Sequence, residues 1–244
     1  MTILAQRKDE LGGVALWRRI ADAIRLDIVG GKLADGDRLP TEALLAARFK
    51  ANRHTVRRAL AVLAEEGVVG AEQGRGTFVR SAKRLSYPIG KRTRFTEGLA
   101  GQARVLTTQH LGEKLENASA TVAAALGLRV GNKVVRIDGV SSADGKPLSR
   151  ATTWLSYKRF PDIAERVIRL DRFTAVYASY GITDYSRAST RISARHADVE
   201  ETKLLSLSPG AILLVSEAID VDTDGVPISY ALSRFPAERM ELVV

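Results

Sequence analysis

The chain has 244 residues, of which 45% are hydrophobic and 27% are charged, a balance that is typical of soluble globular proteins. No apolar run approaches the roughly 20 residues that a membrane-spanning helix needs, the N-terminal residues lack the apolar stretch of a secretory signal, and the absence of cysteine excludes disulfides and thiolate metal sites. We therefore expect a cytoplasmic protein with two modest domains.

Positive charge is concentrated in the N-terminal part of the chain. The net charge is +9 and the sequence pI is about 10.0. Residues 1–80 carry a net charge of +4 and residues 81–106 one of +5, whereas residues 107–244 are balanced. A basic segment joined to a neutral one indicates a module that faces a polyanion, such as nucleic acid, and a second module with another task. A basic surface without such a partner is the alternative.

Two helices are predicted before residue 50. Apolar residues recur at helical spacing over residues 16–28, and two glycines end this helix. Thr41 is a suitable N-cap for a short second helix over residues 42–49.

A third helix is predicted over residues 53–63, with Asn52 as its N-cap. Its apolar residues lie at positions i, i+4 and i+7 and should face the core, while another face near its N-terminus is basic. This layout is typical of a helix-turn-helix, in which arginine can fork to guanine and shorter polar side chains can reach bases or phosphates. The candidates for these contacts are Arg53, His54, Thr55 and Arg57.

Two β-prone runs, at residues 68–71 and 77–79, flank the glycine-rich stretch EQGRG. They predict a β-hairpin of the kind called a wing. Arg75 lies at its tip and could enter a minor groove, where negative potential attracts a guanidinium. Taken alone, this stretch favours a surface turn with an isolated arginine, but together with the preceding helices it favours the wing.

Three segments together resemble the winged-helix domain of GntR-family transcription regulators. They are LPTE at residues 39–42, NRHTVRRA at 52–59 and QGRGTFV at 73–79. The resemblance implies that the recognition helix meets DNA through the four candidates named above. It implies that the wing does so through Gln73, Gly74 and Arg75. Ala43 departs from the pattern, since the family often has arginine there.

Residues 81–93 are basic and lack amphipathic periodicity, so we interpret them as a linker between a DNA-binding domain at 1–80 and a second domain at 94–244. The second domain contains an internal repeat. Each copy has a short helix, which starts at Ser119 or Asp198, then a strand, an Asp-Gly-x-Pro turn and a second strand. The copies predict an α+β domain with an antiparallel sheet covered by helices. Matching positions include Leu126 and Leu205, Leu128 and Leu207, Gly131 and Gly210, and Pro147 and Pro227.

The second domain shows no catalytic pattern. The three histidines lack the spacing of metal ligands, and no nucleophile elbow or Walker loop is present, so we expect neither an enzyme nor a bound metal or cofactor. Arginine suits phosphate-like groups because its donors form a planar fork. Arg136 lies in an apolar strand where the other copy has Val215, Arg150 aligns with Tyr230, and Arg191 lies in the segment TRISAR. Each arginine could instead be a solvent-facing strand residue.

Residues 94–243 resemble the effector-binding domain of HutC-type GntR regulators, which has the chorismate lyase fold. The likeness lies in RFT at 94–96, TRISAR at 190–195 and the two Asp-Gly-x-Pro turns, and it is greatest to phosphonate-utilisation regulators. It implies that Phe95 and Thr96 hold an anionic group together with Arg136. It also implies that Arg150 and Tyr230 line the remaining pocket. Asp138 is a departure, since relatives often have an arginine near it.

We therefore expect a homodimeric, ligand-responsive repressor of phosphonate- or phosphate-related genes, bound to a pseudo-palindromic operator. A sensor of another small acid or a sugar phosphate would have the same architecture. A lyase-like enzyme and an architectural DNA-binding protein without an effector are further alternatives, because a fold does not determine a function.

Overall fold

The structure is a computed structural model that describes residues 15–80, 84–92, 95–170, 172–208 and 210–244. The chain divides into two compact units, residues 1–83 and residues 84–244. Arg94 of the RFT segment lies outside the described residues, as do residues 81–83 and 93 of the predicted linker. Within the described part of the chain, no helix is long and apolar enough to cross a membrane.

The first unit contains the three predicted helices and the predicted hairpin. Side chains cap the helices as expected: Thr41 accepts a hydrogen bond from the Leu44 amide at 3.3 Å, and Asn52 accepts one from the Thr55 amide at 2.8 Å. The two hairpin strands are antiparallel. The elements are α1 (Leu16–Val29), α2 (Glu42–Phe49), α3 (Arg53–Glu65), β1 (Val69–Glu72) and β2 (Gly76–Val79).

One hydrophobic core joins these elements. Of the three residues predicted to face the core from α3, Val56 and Leu63 are fully buried and Leu60 packs against the cluster from its margin. Residues of α1, α2 and both hairpin strands complete it, including Ile20, Ile24, Leu45, Val69 and Val79.

The second unit is built around a six-stranded antiparallel sheet with the strand order β4-β5-β6-β9-β8-β7. A separate parallel pair joins β3 to β10. The elements are β3 (Leu85–Pro88), α4 (Phe95–Gly98), β4 (Leu106–Asn117), α5 (Ala120–Leu126), β5 (Lys133–Ala143), β6 (Lys146–Ser156), α6 (Ile163–Leu170), α7 (Phe173–Ala178), β7 (Tyr185–His196), α8 (Val199–Leu204), β8 (Ile212–Asp222), β9 (Pro227–Pro236) and β10 (Met240–Val243).

The strand order is symmetric about the contact between β6 and β9, and the symmetry follows the sequence repeat. The predicted unit of one helix and one hairpin is present twice, as α5-β5-β6 and α8-β8-β9. The structure adds one strand to each copy, because β4 precedes α5 in the same way as β7 precedes α8. The repeating unit is therefore β-α-β-β, and its first strand forms an edge of the sheet in each copy.

Different elements cover the two faces of this sheet. Helices α6 and α7 pack on one face, against Ile137, Leu155 and Ile228. Phe95, at the start of α4, packs with Phe235 on that same face. Alternate residues of a strand point to opposite faces. The opposite face carries α5 and α8; we call it the α5/α8 face, and it bears Arg136, Arg150, Thr152, Trp154, Tyr230 and Arg234.

Part of the segment that we interpret as a linker, residues 81–93, has regular structure. Residues 85–88 form β3, which pairs in parallel with β10 and places Tyr87 in the core of the second unit. The periodicity of such a short strand is difficult to recognise between basic residues. Its partner is the last strand of the chain, so no local turn signal marks the pairing.

Candidate functional site

The recognition helix presents the predicted DNA-contacting residues near its N-terminus. Arg53, His54 and Arg57 are exposed, and Thr55 is half-buried. The Thr55 hydroxyl donates to Asn52 at 2.8 Å, so part of its polar capacity serves the helix cap. The helix N-terminus adds backbone amides to this surface, which favours phosphate.

Contacts within the first unit engage several of the basic residues around this helix. Arg48 pairs with the buried Asp27 at 2.8 Å, and this hydrogen bond holds the pKa of Asp27 below its usual value. Arg58 lies over the ring of Trp17, 4.9 Å from its centroid. These two arginines therefore chiefly stabilise the first unit, and fewer basic residues are left to contact DNA than the sequence predicts.

Arg57 is held by a residue of another helix. Its Nε lies 2.8 Å from the carboxylate of Glu42, at the start of α2. Glu42 is the last residue of the LPTE segment, so the segment supplies both a cap and an acceptor that orients a recognition-helix arginine. The Arg57 side chain is still 63% exposed, so the pair with Glu42 leaves most of its surface open to a ligand.

The wing holds its predicted residues in a tight turn. Gly74 has a φ of 73°, a value that few residues other than glycine adopt. Arg75 pairs with Glu72 at 2.6 Å and lies over the ring of Phe78. Gln73, Gly74 and Arg75 lie at the tip, where all three are exposed. Together with α3, this gives a basic surface of helix and wing.

The second candidate site is a polar network on the α5/α8 face. Arg136 pairs with Asp138 through its Nε at 2.8 Å and its Nη2 at 3.1 Å. Asp138 also accepts a hydrogen bond from Thr152 at 2.7 Å, and Thr152 in turn accepts one from Arg234 at 2.9 Å. Thr152 is buried. The carboxylate that departs from the family pattern therefore neutralises Arg136.

Two further arginines lie beside this network, on the central strands. Arg150 of β6 lies directly opposite Arg234 of β9, and their side chains are 11% and 12% exposed. Arg234 lies 3.2 Å from the buried Glu201 of α8, which Arg195 also binds through two hydrogen bonds of 2.6 Å. Burial, together with the positive charge of Arg150, lowers the pKa of Arg234.

An aromatic pair occupies the other end of the same face. Trp154 and Tyr230 lie opposite each other and stack with 5.5 Å between ring centroids. Tyr230 donates a hydrogen bond to Glu217 at 3.0 Å, and burial and this contact raise the pKa of Tyr230 to about 12. Arg191, on the edge strand β7, lies opposite Glu217 and is exposed.

The structure separates the two parts of the predicted anion site. Phe95 and Thr96 line a small cavity with Leu106, Thr107, Thr108 and Arg172. Thr108 pairs with Ser141, five positions along β5 from Arg136, or about 16 Å. Phe95 also packs on the face opposite to Arg136. Arg136, Arg150, Arg191 and Tyr230 share the α5/α8 face, and Phe95 and Thr96 do not join them.

Sequence reasoning did not select several residues of this face, namely Trp154, Glu201, Glu217 and Arg234. Arg234 could have been selected from the internal repeat. The repeat aligns it with Trp154, so a cation stands where the first copy has an aromatic ring. The strand register that brings Arg234 to Arg150 is not encoded locally.

The fold and the two sites define a DNA-binding regulator with a winged helix-turn-helix and an α+β sensor unit. Residues 16–79 match the gntR family of bacterial regulatory proteins, and residues 101–241 match the UTRA domain. The chain belongs to the GntR family, as a member with a UTRA domain of the HutC type. Regulators of this family bind DNA, and UTRA domains bind small-molecule effectors.

The chain is similar to known regulators over almost its whole length. It is 48% identical, over 94% of both chains, to an uncharacterised HTH-type transcriptional regulator of Rhizobium meliloti, RB1450. It is 32% identical, over 86% of both chains, to the probable transcriptional regulator PhnF of Escherichia coli. The crystal structure of PhnF from Mycobacterium smegmatis superposes with a TM-score of 0.61 at 26% identity, covering 92% of this chain and 96% of the other.

Proposed function

We propose that the chain is a homodimeric repressor that responds to a small anionic effector containing phosphorus, and that it controls genes for the uptake or metabolism of phosphonate or phosphate. The observation that carries this proposal is the group of arginines on the α5/α8 face, in a chain that also has a basic recognition helix. The similarity to two proteins named PhnF supports the phosphonate assignment.

In this proposal the recognition helix and the wing contact the operator. Arg53, His54, Thr55 and Arg57 lie in the major groove, where arginine forks to guanine. Gln73, Gly74 and Arg75 contact the adjacent backbone or minor groove. A twofold dimer places two such helices about one helical turn of DNA apart, which predicts an operator with two inverted half-sites.

The effector lies on the α5/α8 face, among Arg136, Arg150, Arg191 and Tyr230. These donors are anchored on strands rather than on loops, so the site is largely formed before the ligand binds. An effector acts as a regulator only through a difference in its affinity for the DNA-bound and free conformations. The charged and polar side chains of the α5/α8 face therefore determine which molecule binds there and changes operator affinity.

The test uses an operator selected from random DNA with the full-length protein. Operator affinity is measured by fluorescence anisotropy during titration with methylphosphonate, inorganic phosphate, glucose 6-phosphate and acetate, and the dimer is measured by light scattering. We expect a phosphorus oxyanion to change operator affinity by about 5- to 150-fold, the usual range of coupling between two sites. If all four ligands leave the affinity unchanged, the proposed function is wrong.

A sugar phosphate is the second candidate effector, and one observation favours it. Glu217 and Tyr230 form a donor and acceptor pair on the same face as the arginines, and such groups suit the hydroxyls of a sugar. In the same titration, a response to glucose 6-phosphate without a response to methylphosphonate would select this candidate.

A further inference from the structure

The facing pair Arg150 and Arg234 is unusual in the sheet. Side chains directly opposite each other on neighbouring strands lie about 5 Å apart at Cβ, and like charges in this position destabilise a sheet. Here both side chains are also nearly buried, at 11% and 12% exposure. Burying a charge is costly unless a partner of opposite sign accompanies it.

The nearby carboxylates do not balance this pair. Glu201 is shared between Arg234 and Arg195, and Asp138 is occupied by Arg136 and Thr152. Among the carboxylates of the described residues, Arg150 pairs only with Glu200, whose side chain is 73% exposed. The buried Nε of Arg150 has no hydrogen-bond acceptor in the described part of the chain. Four guanidinium groups thus surround two largely buried carboxylates, which leaves an excess of positive charge.

The internal repeat shows that the fold does not require arginines here. When the two copies are aligned on their hairpins, Arg150 corresponds to Tyr230 and Arg234 corresponds to Trp154. The equivalent location in the other half of the sheet is thus occupied by the stacked Trp154–Tyr230 pair. A neutral pair fills the same backbone geometry, so the two arginines serve a purpose other than packing.

We infer that Arg150 and Arg234 form the anion subsite of the effector site and bind a doubly charged oxyanion, a phosphonate or phosphate monoester group, between their guanidinium groups. This inference rests on the proposed function and assigns the anion to these two residues rather than to Arg136. Two guanidinium groups match the charge of a dianion, and the planar fork of each donates to its oxygens. The remainder of the effector then extends along the strands toward Trp154 and Tyr230.

The test measures anion binding and DNA binding separately on the full-length protein. Isothermal titration calorimetry with methylphosphonate, inorganic phosphate and sulfate gives the anion affinity. The variants are Arg150→Gln, which keeps a donor toward Glu200, and Arg234→Lys, which keeps the charge beside Glu201 but removes the fork. Arg169→Gln is the control, because Arg169 is an exposed arginine of α6, on the opposite face of the sheet, and Arg136→Gln tests the competing location. Near-UV circular dichroism verifies that each variant is folded.

We expect Arg150→Gln and Arg234→Lys each to weaken binding of the best of these anions by about tenfold or more, since each removes charge-assisted hydrogen bonds. Arg169→Gln should stay within about twofold of the wild-type affinity. If Arg136→Gln alone abolishes binding, or if the wild type binds none of the three anions more tightly than about 10 mM, the subsite assignment is overturned.

The operator titration distinguishes this inference from the proposed function. If an anion binds to the arginine pair without changing operator affinity, the subsite stands and the proposed function fails. If an anion changes operator affinity equally in the wild type, Arg150→Gln and Arg234→Lys, the proposed function stands and the subsite fails.

Discussion

Replacing Arg57 with alanine is the sharpest test of the recognition helix. In the free chain Arg57 pairs with Glu42 at 2.8 Å, and the two side chains are 63% and 37% exposed. An exposed pair of this kind contributes about 0–1 kcal/mol to stability. The free energy of unfolding should therefore change by less than about 1 kcal/mol, so a larger effect on DNA binding would reflect recognition rather than unfolding.

The size of the DNA effect depends on what Arg57 contacts. If it forks to a base, its loss should cost about 1–3 kcal/mol of operator affinity and leave random DNA almost unaffected. If it contacts a phosphate, both affinities should fall together, and the slope of log affinity against log salt should decrease by about 1. We expect the first result, because Glu42 holds the guanidinium in a fixed orientation.

The assay is fluorescence anisotropy with the selected operator and a scrambled sequence at several salt concentrations. Arg58→Ala is the matched control, since Arg58 is the next residue on the helix and lies over Trp17. It should lower stability by about 0.5–1 kcal/mol and change operator preference little. Equal losses on operator and scrambled DNA for Arg57→Ala would refute base reading by this residue.

Three further predictions concern stability and the division of labour. Hydrogen bonds from Arg195 hold the pKa of Glu201 below its usual value, so this carboxylate stabilises the fold above its unfolded pKa and loses that effect as the pH falls through its folded pKa. Glu201→Gln should lower the free energy of unfolding by about 1–3 kcal/mol at pH 7. When this free energy is measured by urea titration at several pH values, its decrease toward acid pH should be smaller in the variant than in the wild type, and an unchanged decrease would contradict this prediction. Gly76→Ala should lower the melting temperature more than Gly74→Ala, because the φ of 117° at Gly76 lies well outside the left-handed region that other residues can adopt, whereas the φ of 73° at Gly74 lies at its edge. Equal shifts in melting temperature would contradict this prediction. A fragment of residues 1–83 should retain weak, salt-sensitive DNA binding in gel-shift assays, and detectable binding by residues 84–244 would contradict the assignment of DNA binding to the first unit.

Local features of the fold were predictable from the sequence because capping and turn chemistry act within a few residues. Thr41 and Asn52, predicted as caps, and Ser119 and Asp198, predicted as helix starts, all accept the backbone hydrogen bond of an N-cap. The edge strands β4 and β7 were not predicted. Their side chains are mostly exposed on both faces of the sheet, so the alternation of polar and apolar residues that marks a half-buried strand is weak.

The candidate effector site was only partly predictable, for a different reason. Arg150 and Tyr230 were selected through the repeat and the family resemblance, but their neighbours depend on the register of β6 against β9. That register pairs residues from different copies of the repeat and brings Arg234 to Arg150. Phe95 and Thr96 lie in α4, and their distance from Arg136 depends on which face of the sheet α4 covers. The β-bulges of the sheet change which strand residues point to that face, and the sequence does not show where these bulges lie.

The pairing of β6 with β9 has a consequence for the mechanics of the sheet. This ladder contains five residue pairs, whereas β4–β5 and β7–β8 each contain eleven. The two repeats therefore meet at the shortest ladder of the six-stranded sheet, and Arg150 and Arg234 lie on the two strands that form it. A ligand bound by both would act as a cross-link over this joint. Amide hydrogen exchange in β6 and β9 should then slow on binding more than exchange in the outer strands.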